Sequence, residues 1–124
     1  MSINKYFCSG NLVRDCEIRT VPSGMSITKF TIAVNDRRKN PQTNEWEDYP
    51  NYIDCTIFGK LGDKLAIQLT KGSKVCIEGS LRQSSWEKDG QKRSKIELIV
   101  DKIEVLPKYK DEPYHEEAYS DIPF

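Results

Sequence analysis

At 124 residues, 37% of them hydrophobic and 31% charged, the chain has material for one small core and an appendage, not for two domains. It has no apolar run of about 18 residues, which argues against a membrane-spanning helix. The formal net charge is zero, yet residues 1–106 hold 17 Lys and Arg against 14 Asp and Glu, while residues 107–124 hold 2 against 5. A mildly basic body that attracts phosphates is thus followed by an acidic segment that repels them.

Alternation of apolar and polar residues predicts strands through most of the body. A first strand covers residues 4–13 and ends near Gly10-Asn11, and Pro22-Ser23-Gly24 marks a turn. Residues 27–35 put Phe30, Ile32 and Val34 on one face of a second strand. The polar stretch from Asp36 to Asp48, with Asn40-Pro41 inside it, reads as a long hairpin loop. A third strand follows over residues 49–58, with Ile53, Cys55 and Ile57 inward. Leu61, Leu65 and Leu69 recur at four-residue spacing and predict a helix from Leu61 to Thr70, stopped by Gly72. Val75, Ile77, Gly79 and Leu81 then alternate along a fourth strand, and Glu87-Lys88-Asp89-Gly90 turns the chain. Ile96, Leu98 and Val100 mark a last strand that continues to about Leu106, and Pro107 closes the domain.

Three strands, a helix and two strands define an all-β class with one short helix, in the order of a five-stranded OB-fold barrel. A small sandwich is the alternative, and it explains the single helix less well. The expected division is a folded domain over residues 1–106 and a flexible acidic tail over residues 107–124. Asp111, Glu112, Glu116 and Glu117 with Pro113 and Pro123 leave too little apolar surface there to offset the entropy of ordering.

Cys8, Cys16, Cys55 and Cys76 form no Cys-x-x-Cys pair, and the one histidine, His115, lies in the tail. No metal or cofactor is expected. Cys8, Cys55 and Cys76 sit among apolar strand residues and read as small buried hydrophobes. The opening residues lack the charged-then-apolar layout of a secretion signal, so the expected location is cytoplasmic.

The aromatics carry the functional signal. If Ile53, Cys55 and Ile57 face the core, Tyr52, Asp54, Thr56 and Phe58 face away from it. By the same rule Ser80, Arg82, Ser84 and Trp86 share the outer side of the fourth strand. Aromatics on a polar, basic face suit either a second packing surface, such as a subunit contact, or a platform on which unpaired bases stack. Trp46, in the polar loop beside Arg37, Arg38 and Lys39, either extends that platform or folds back on the barrel. Lys5, Arg19, Lys29, Lys60, Lys71, Arg82, Lys92 and Arg93 are the candidates for phosphate contacts.

Asn4-Lys5, Gly10-Asn11-Leu12, Asp15 with Glu17-Ile18-Arg19, Phe58-Gly59-Lys60, Lys71-Gly72-Ser73 and Ile77-Glu78-Gly79-Ser80-Leu81-Arg82 with Trp86 resemble successive blocks of bacterial single-stranded DNA-binding proteins. The ending Asp121-Ile122-Pro123-Phe124 resembles the Asp-Asp-Ile-Pro-Phe tip of the same proteins. The resemblance implies a sequence-independent, non-catalytic binder of single-stranded DNA that serves replication, recombination and repair. It puts Trp86, Phe58 and Tyr52 at base-stacking positions, with Tyr52 where a tryptophan is common, and Arg38 at a loop position where an aromatic is frequent. A guanidinium can still lie flat on a base. It further implies a homotetramer built partly through the first strand, with a tip that recruits partner proteins. The linker is shorter than is usual and the tip less acidic, with only Asp121 immediately before Ile122, which suits a phage- or mobile-element-encoded version acting in a host cytoplasm. A loading adaptor of the same fold is the competing reading. An enzyme is a third, without a catalytic constellation to support it.

Overall fold

Six strands and one helix run in the order β1 (Tyr6–Leu12), β2 (Glu17–Thr20), β3 (Ser26–Lys39), β4 (Trp46–Phe58), α1 (Lys60–Leu65), β5 (Lys74–Lys88) and β6 (Gln91–Leu106). They belong to a computed structural model that describes residues 1–106. The tail expected over residues 107–124, with its tip Asp121 to Phe124, lies outside the described residues. Among those described, no helix is long and apolar enough to cross a membrane.

The sheet order is β1-β5-β6-β4-β3-β2, and a second pairing of β1 with β3, Asn11 to Ala33 and Leu12 to Ile32, closes five of the strands into a barrel. This is the OB-fold that the element order implies. Leu12, Phe30, Ile32, Cys55, Ile57, Leu69, Val75, Ile77, Leu98 and Val100 fill its interior. Two antiparallel hairpins, β3–β4 and β5–β6, supply most of the wall. They meet in a short parallel contact, Cys55 to Leu98 and Thr56 to Ile99.

Several elements differ from the sequence expectation, each for a physical reason. The stretch from Asp36 to Asp48 is mostly strand: β3 and β4 stay paired out to Lys39 and Trp46. Apart from Trp46 and Tyr49 its rungs are polar on both sides, so no alternation betrays them. The turn itself is held by Asn40, whose side-chain oxygen accepts the Gln42 NH at 2.8 Å and whose backbone NH donates to Glu45 at 2.8 Å. The four residues of β2 are all exposed and lie on the edge of β3, so burial leaves no pattern in them. Helix α1 is shorter than expected. Its end turns into a tighter coil in which the Leu69 NH reaches Leu65 at 3.0 Å and Ala66 at 3.2 Å. Leu69 is fully buried while Leu61 is exposed. Leu81 keeps the inward side, opposite buried Leu98, yet is 39% exposed. Cys76 is exposed, because it alternates with inward Val75 and Ile77 and so points out; Cys8 is half-buried and Cys55 buried.

The expected turn before β6 is present. Asp89 and Gly90 both have positive φ, 54° and 77°, the two-residue geometry that Asp-Gly favours between antiparallel strands. At Gly62, α1 lies so close to β3 that a Cβ would overlap the Thr28 side chain, and Thr28 is itself fully buried. Alanine gains about 1 kcal/mol of helix propensity over glycine, whereas overpacking a rigid contact costs about 1–3 kcal/mol. Gly62→Ala is therefore expected to lower stability on balance and reduce the urea midpoint; an unchanged or higher midpoint would show that α1 can back away from β3.

Candidate nucleic-acid interface

Strand register brings one side of four strands into a continuous surface. Lys29 and Thr31 of β3 lie beside Thr56 and Asp54 of β4. Across the parallel contact, Thr56 lies beside Ile99, which in turn faces Ser80 of β5. Side-chain bonds confirm the shared face. The Thr31 hydroxyl donates to Asp54 Oδ1 at 2.7 Å, and Lys95 Nζ lies 3.2 Å from Asp54 Oδ2. The Thr56 hydroxyl donates to Glu97 Oε2 at 2.9 Å, with Lys29 Nζ 4.0 Å from the same oxygen.

Phe58 stands at one end of this surface, 40% exposed, with the Arg82 guanidinium 5.1 Å from its ring centre. That distance permits a cation–π contact and leaves much of the ring accessible. Tyr52 and Trp46 have the same parity along β4 and are 66% and 60% exposed, so one side of the β3–β4 arm carries a ring near its base and another near its tip. Trp86, 43% exposed, is on the β5–β6 arm opposite Arg93, on the side that carries Arg82. Arg38 does not join this row. It pairs with Glu47 on the other side of the arm, and its guanidinium lies 3.9 Å from the Tyr49 ring centre.

The candidate phosphate contacts divide similarly. Lys29, Arg82 and Arg93 share the aromatic side by register, as does Arg19, opposite Ile27 on β2. Lys60 opens α1 two residues after Phe58. Lys92 pairs with Glu87 on the reverse of the arm. Lys5 is set apart, 3.9 Å from both Glu78 and Asp101. Lys71 sits between α1 and β5, where its backbone NH donates to Asp15 Oδ1 at 2.8 Å.

Lys95, Thr31 and Glu97 were not among the candidates that the sequence singled out, yet with Asp54 and Arg14 they line a polar cleft of about 140 Å³ in the middle of the face. Lys95 has the parity of Arg93 and Glu97, so strand alternation alone would have found it. Partial burial pushes the Asp54 carboxyl up, but the Thr31 hydroxyl and the cations of Lys95 and Arg14 outweigh it and hold the group below its ordinary value. Burial pushes the Cys55 thiol far up and the Cys8 thiol up, which favours the protonated form of both. Among the described residues, no group of three or more His, Cys, Asp or Glu could hold a metal ion.

A five-stranded OB barrel whose open face carries exposed rings among basic residues defines a ligand-binding module of the kind that takes extended polymers. Residues 3–106 match the single-strand binding protein family, and the chain belongs to that family. It is 43% identical over 106 residues to the single-stranded DNA-binding protein of Borreliella burgdorferi, covering 84% of this chain and 70% of that one. Against the Treponema pallidum protein of the same name it is 36% identical over 104 residues, 84% of this chain and 58% of its relative. Among solved structures, a deletion mutant of the single-stranded DNA binding protein from Thermus aquaticus superposes with a TM-score of 0.73 at 27% identity, covering 85% of this chain and 51% of the other. A Plasmodium falciparum SSB in complex with ssDNA has the same fold, with a TM-score of 0.77 at 22% identity over 86% of this chain and 97% of that one.

The depressed Asp54 carboxyl has a consequence for stability. Its folded pKa lies below its unfolded value of about 3.9, so it contributes stability above that pH and loses it as pH falls through the folded value. Asp54→Asn removes this dependence. In acid titrations followed by circular dichroism, the gap in stability between the natural chain and the variant should close below about pH 4; a gap constant down to about pH 2 would mean that ionised Asp54 gains nothing from Thr31 and Lys95 in the fold.

Proposed function

We propose that this chain is a non-catalytic, sequence-independent binder of single-stranded DNA that coats and protects exposed strands. The observation that carries the reading is the placement of Trp46, Tyr52, Phe58 and Trp86 on one side of the two hairpins, exposed among cations. A duplex hides its base faces; a single strand offers them, and each stacked base adds roughly 1–3 kcal/mol without regard to sequence. Lys29, Lys60, Arg82 and Arg93 then serve the sugar–phosphate backbone, with Arg19, Lys5, Lys71 and Lys92 contributing at longer range. Arg38, held on Tyr49, takes part only by leaving that ring.

Work in replication, recombination and repair follows from coating strands that those processes expose, in the cytoplasm where the DNA is. Oligomerisation fits the same task, since repeating the barrel multiplies stacking sites on one strand. Over Tyr6–Gly10, β1 pairs with β5 alone. That open edge supports association with further copies, and a homotetramer is the proposed state. The Asp121-Ile122-Pro123-Phe124 tip recruits partner proteins: an apolar pocket takes Phe124 and basic residues at its rim take Asp121.

Trp86→Ala and Phe58→Ala should each weaken binding to oligo-dT by roughly 1–3 kcal/mol with the melting temperature little changed. Arg82→Ala or Lys60→Ala should instead reduce the dependence of affinity on salt, by about 0.7 in log–log slope for each phosphate that is no longer neutralised. If Trp86→Ala unfolds the protein with no separable binding defect, Trp86 is structural. Deleting Asp121 to Phe124 should leave affinity for DNA unchanged or slightly higher, most visibly at low salt, while abolishing pull-down of replication and repair enzymes. Partner sets that survive the deletion would remove the tip from the function.

A further inference from the structure

The middle of the proposed strand-binding face is not simply basic. Four carboxylates, Asp15, Glu17, Asp54 and Glu97, line the cleft there, and the last two are each close to a lysine of another strand: Lys95 at 3.2 Å and Lys29 at 4.0 Å. Threonine hydroxyls hold both acids in place, Thr31 at 2.7 Å and Thr56 at 2.9 Å. The Glu97 side chain is only 11% exposed against 48% for its partner Lys29, while Asp54 and Lys95 are exposed alike, 45% and 39%. Two anions held by hydroxyls thus sit beside accessible cations, Glu97 sheltered and Asp54 half-exposed, on a surface proposed to receive a polyanion.

A bare lysine that neutralises a phosphate frees a cation condensed on the strand, and that release supplies much of the affinity and makes it fall with salt. A lysine already paired with a carboxylate of its own sheet neutralises a phosphate less fully, so the strand gives up fewer of its condensed cations. A phosphate must displace the carboxylate, which remains tethered nearby and repels the newcomer. We propose that Asp54 and Glu97 are built-in counterions of Lys95 and Lys29, which weaken the grip on single strands and blunt its response to salt. The inference rests on the single-strand reading above. Its consequence is a face that retains bases by stacking while holding the backbone loosely at its centre.

Asp54→Asn tests it in the full-length protein. The amide is isosteric and can still accept the Thr31 bond, but it no longer neutralises Lys95. Binding of fluorescent oligo-dT across a salt series should tighten about two- to fivefold at low salt, the range that a half-exposed ion pair allows. The log–log salt slope should steepen by about 0.7, one further phosphate neutralised. Glu104→Gln, on the far side of β6, makes the same change in net charge and should leave the slope unaltered. Asp54→Asn with Lys95→Gln should return affinity and slope to those of the natural chain, and Glu97→Gln repeats the test at the second pair should the first variant fold poorly. Asp54→Asn that behaves like Glu104→Gln would overturn the inference, as would weaker binding, which would make Asp54 a direct contact to bases. Failure of the natural chain to bind oligo-dT at all would overturn the single-strand reading and this inference with it.

Discussion

On this face the two hairpins of the barrel meet directly in two rungs of parallel pairing, Cys55 to Leu98 and Thr56 to Ile99, and the rest of the face is laid out from there. Cys55 and Leu98 point into the core, 1% and 0% exposed, so neither strand can slip by one residue without turning a buried side chain to solvent. With that register fixed, Asp54, Thr56 and Phe58 come to lie beside Glu97, Ile99 and Arg82. The Thr56–Glu97 bond and the Arg82–Phe58 contact both cross this junction. Beyond the junction the hairpins project as arms, one bearing Tyr52 and Trp46 and the other Trp86 and Arg93.

The face therefore has two kinds of region. Rings stand at the end of the barrel wall and along the arms, where their faces are accessible. Compensated charges occupy the centre. Stacking is short-ranged and insensitive to ions, whereas phosphate contacts are long-ranged and screened within about 10 Å at 0.1 M salt. On the proposed reading, separating them would let one surface combine persistent contact with bases and adjustable contact with the backbone. The single-strand binding protein family, to which residues 3–106 assign the chain, is the setting in which such a division is useful.

How much of this was legible in the sequence depends on where burial enforces alternation. Ile53, Cys55 and Ile57 alternate against the core, so the outward direction of Tyr52 and Phe58 could be read directly, and the Asp89-Gly90 turn declared itself through residue type. The outer half of the β3–β4 arm could not be read this way, because Arg37 faces Asp48 and Arg38 faces Glu47 with no core on either side. The same silence hid β2, exposed throughout. Leu81 lies on the side that alternation assigns, opposite buried Leu98, but alternation gives direction and not depth: the side chain lines a cleft with Tyr6, Ile53 and Ile96 and stays 39% exposed. Lys95 and Glu97 lay within reach of strand parity, but their pairing with Asp54 and Lys29 is a contact between strands distant in sequence, and only the fold brings it together.

Stacking of unpaired bases on the exposed rings is the central claim, and the protein carries its own reporters for it in Trp46 and Trp86, 60% and 43% exposed on that side. Tryptophan emission titrated with oligo-dT, and in parallel with a duplex of matched length at moderate salt, tests it most directly. Strong quenching by the single strand at nanomolar concentration, with far weaker binding of the duplex, is the result expected of bases lying on indole rings. Equal affinity for the two forms, or binding of oligo-dT that leaves the emission of both tryptophans unchanged, would contradict it.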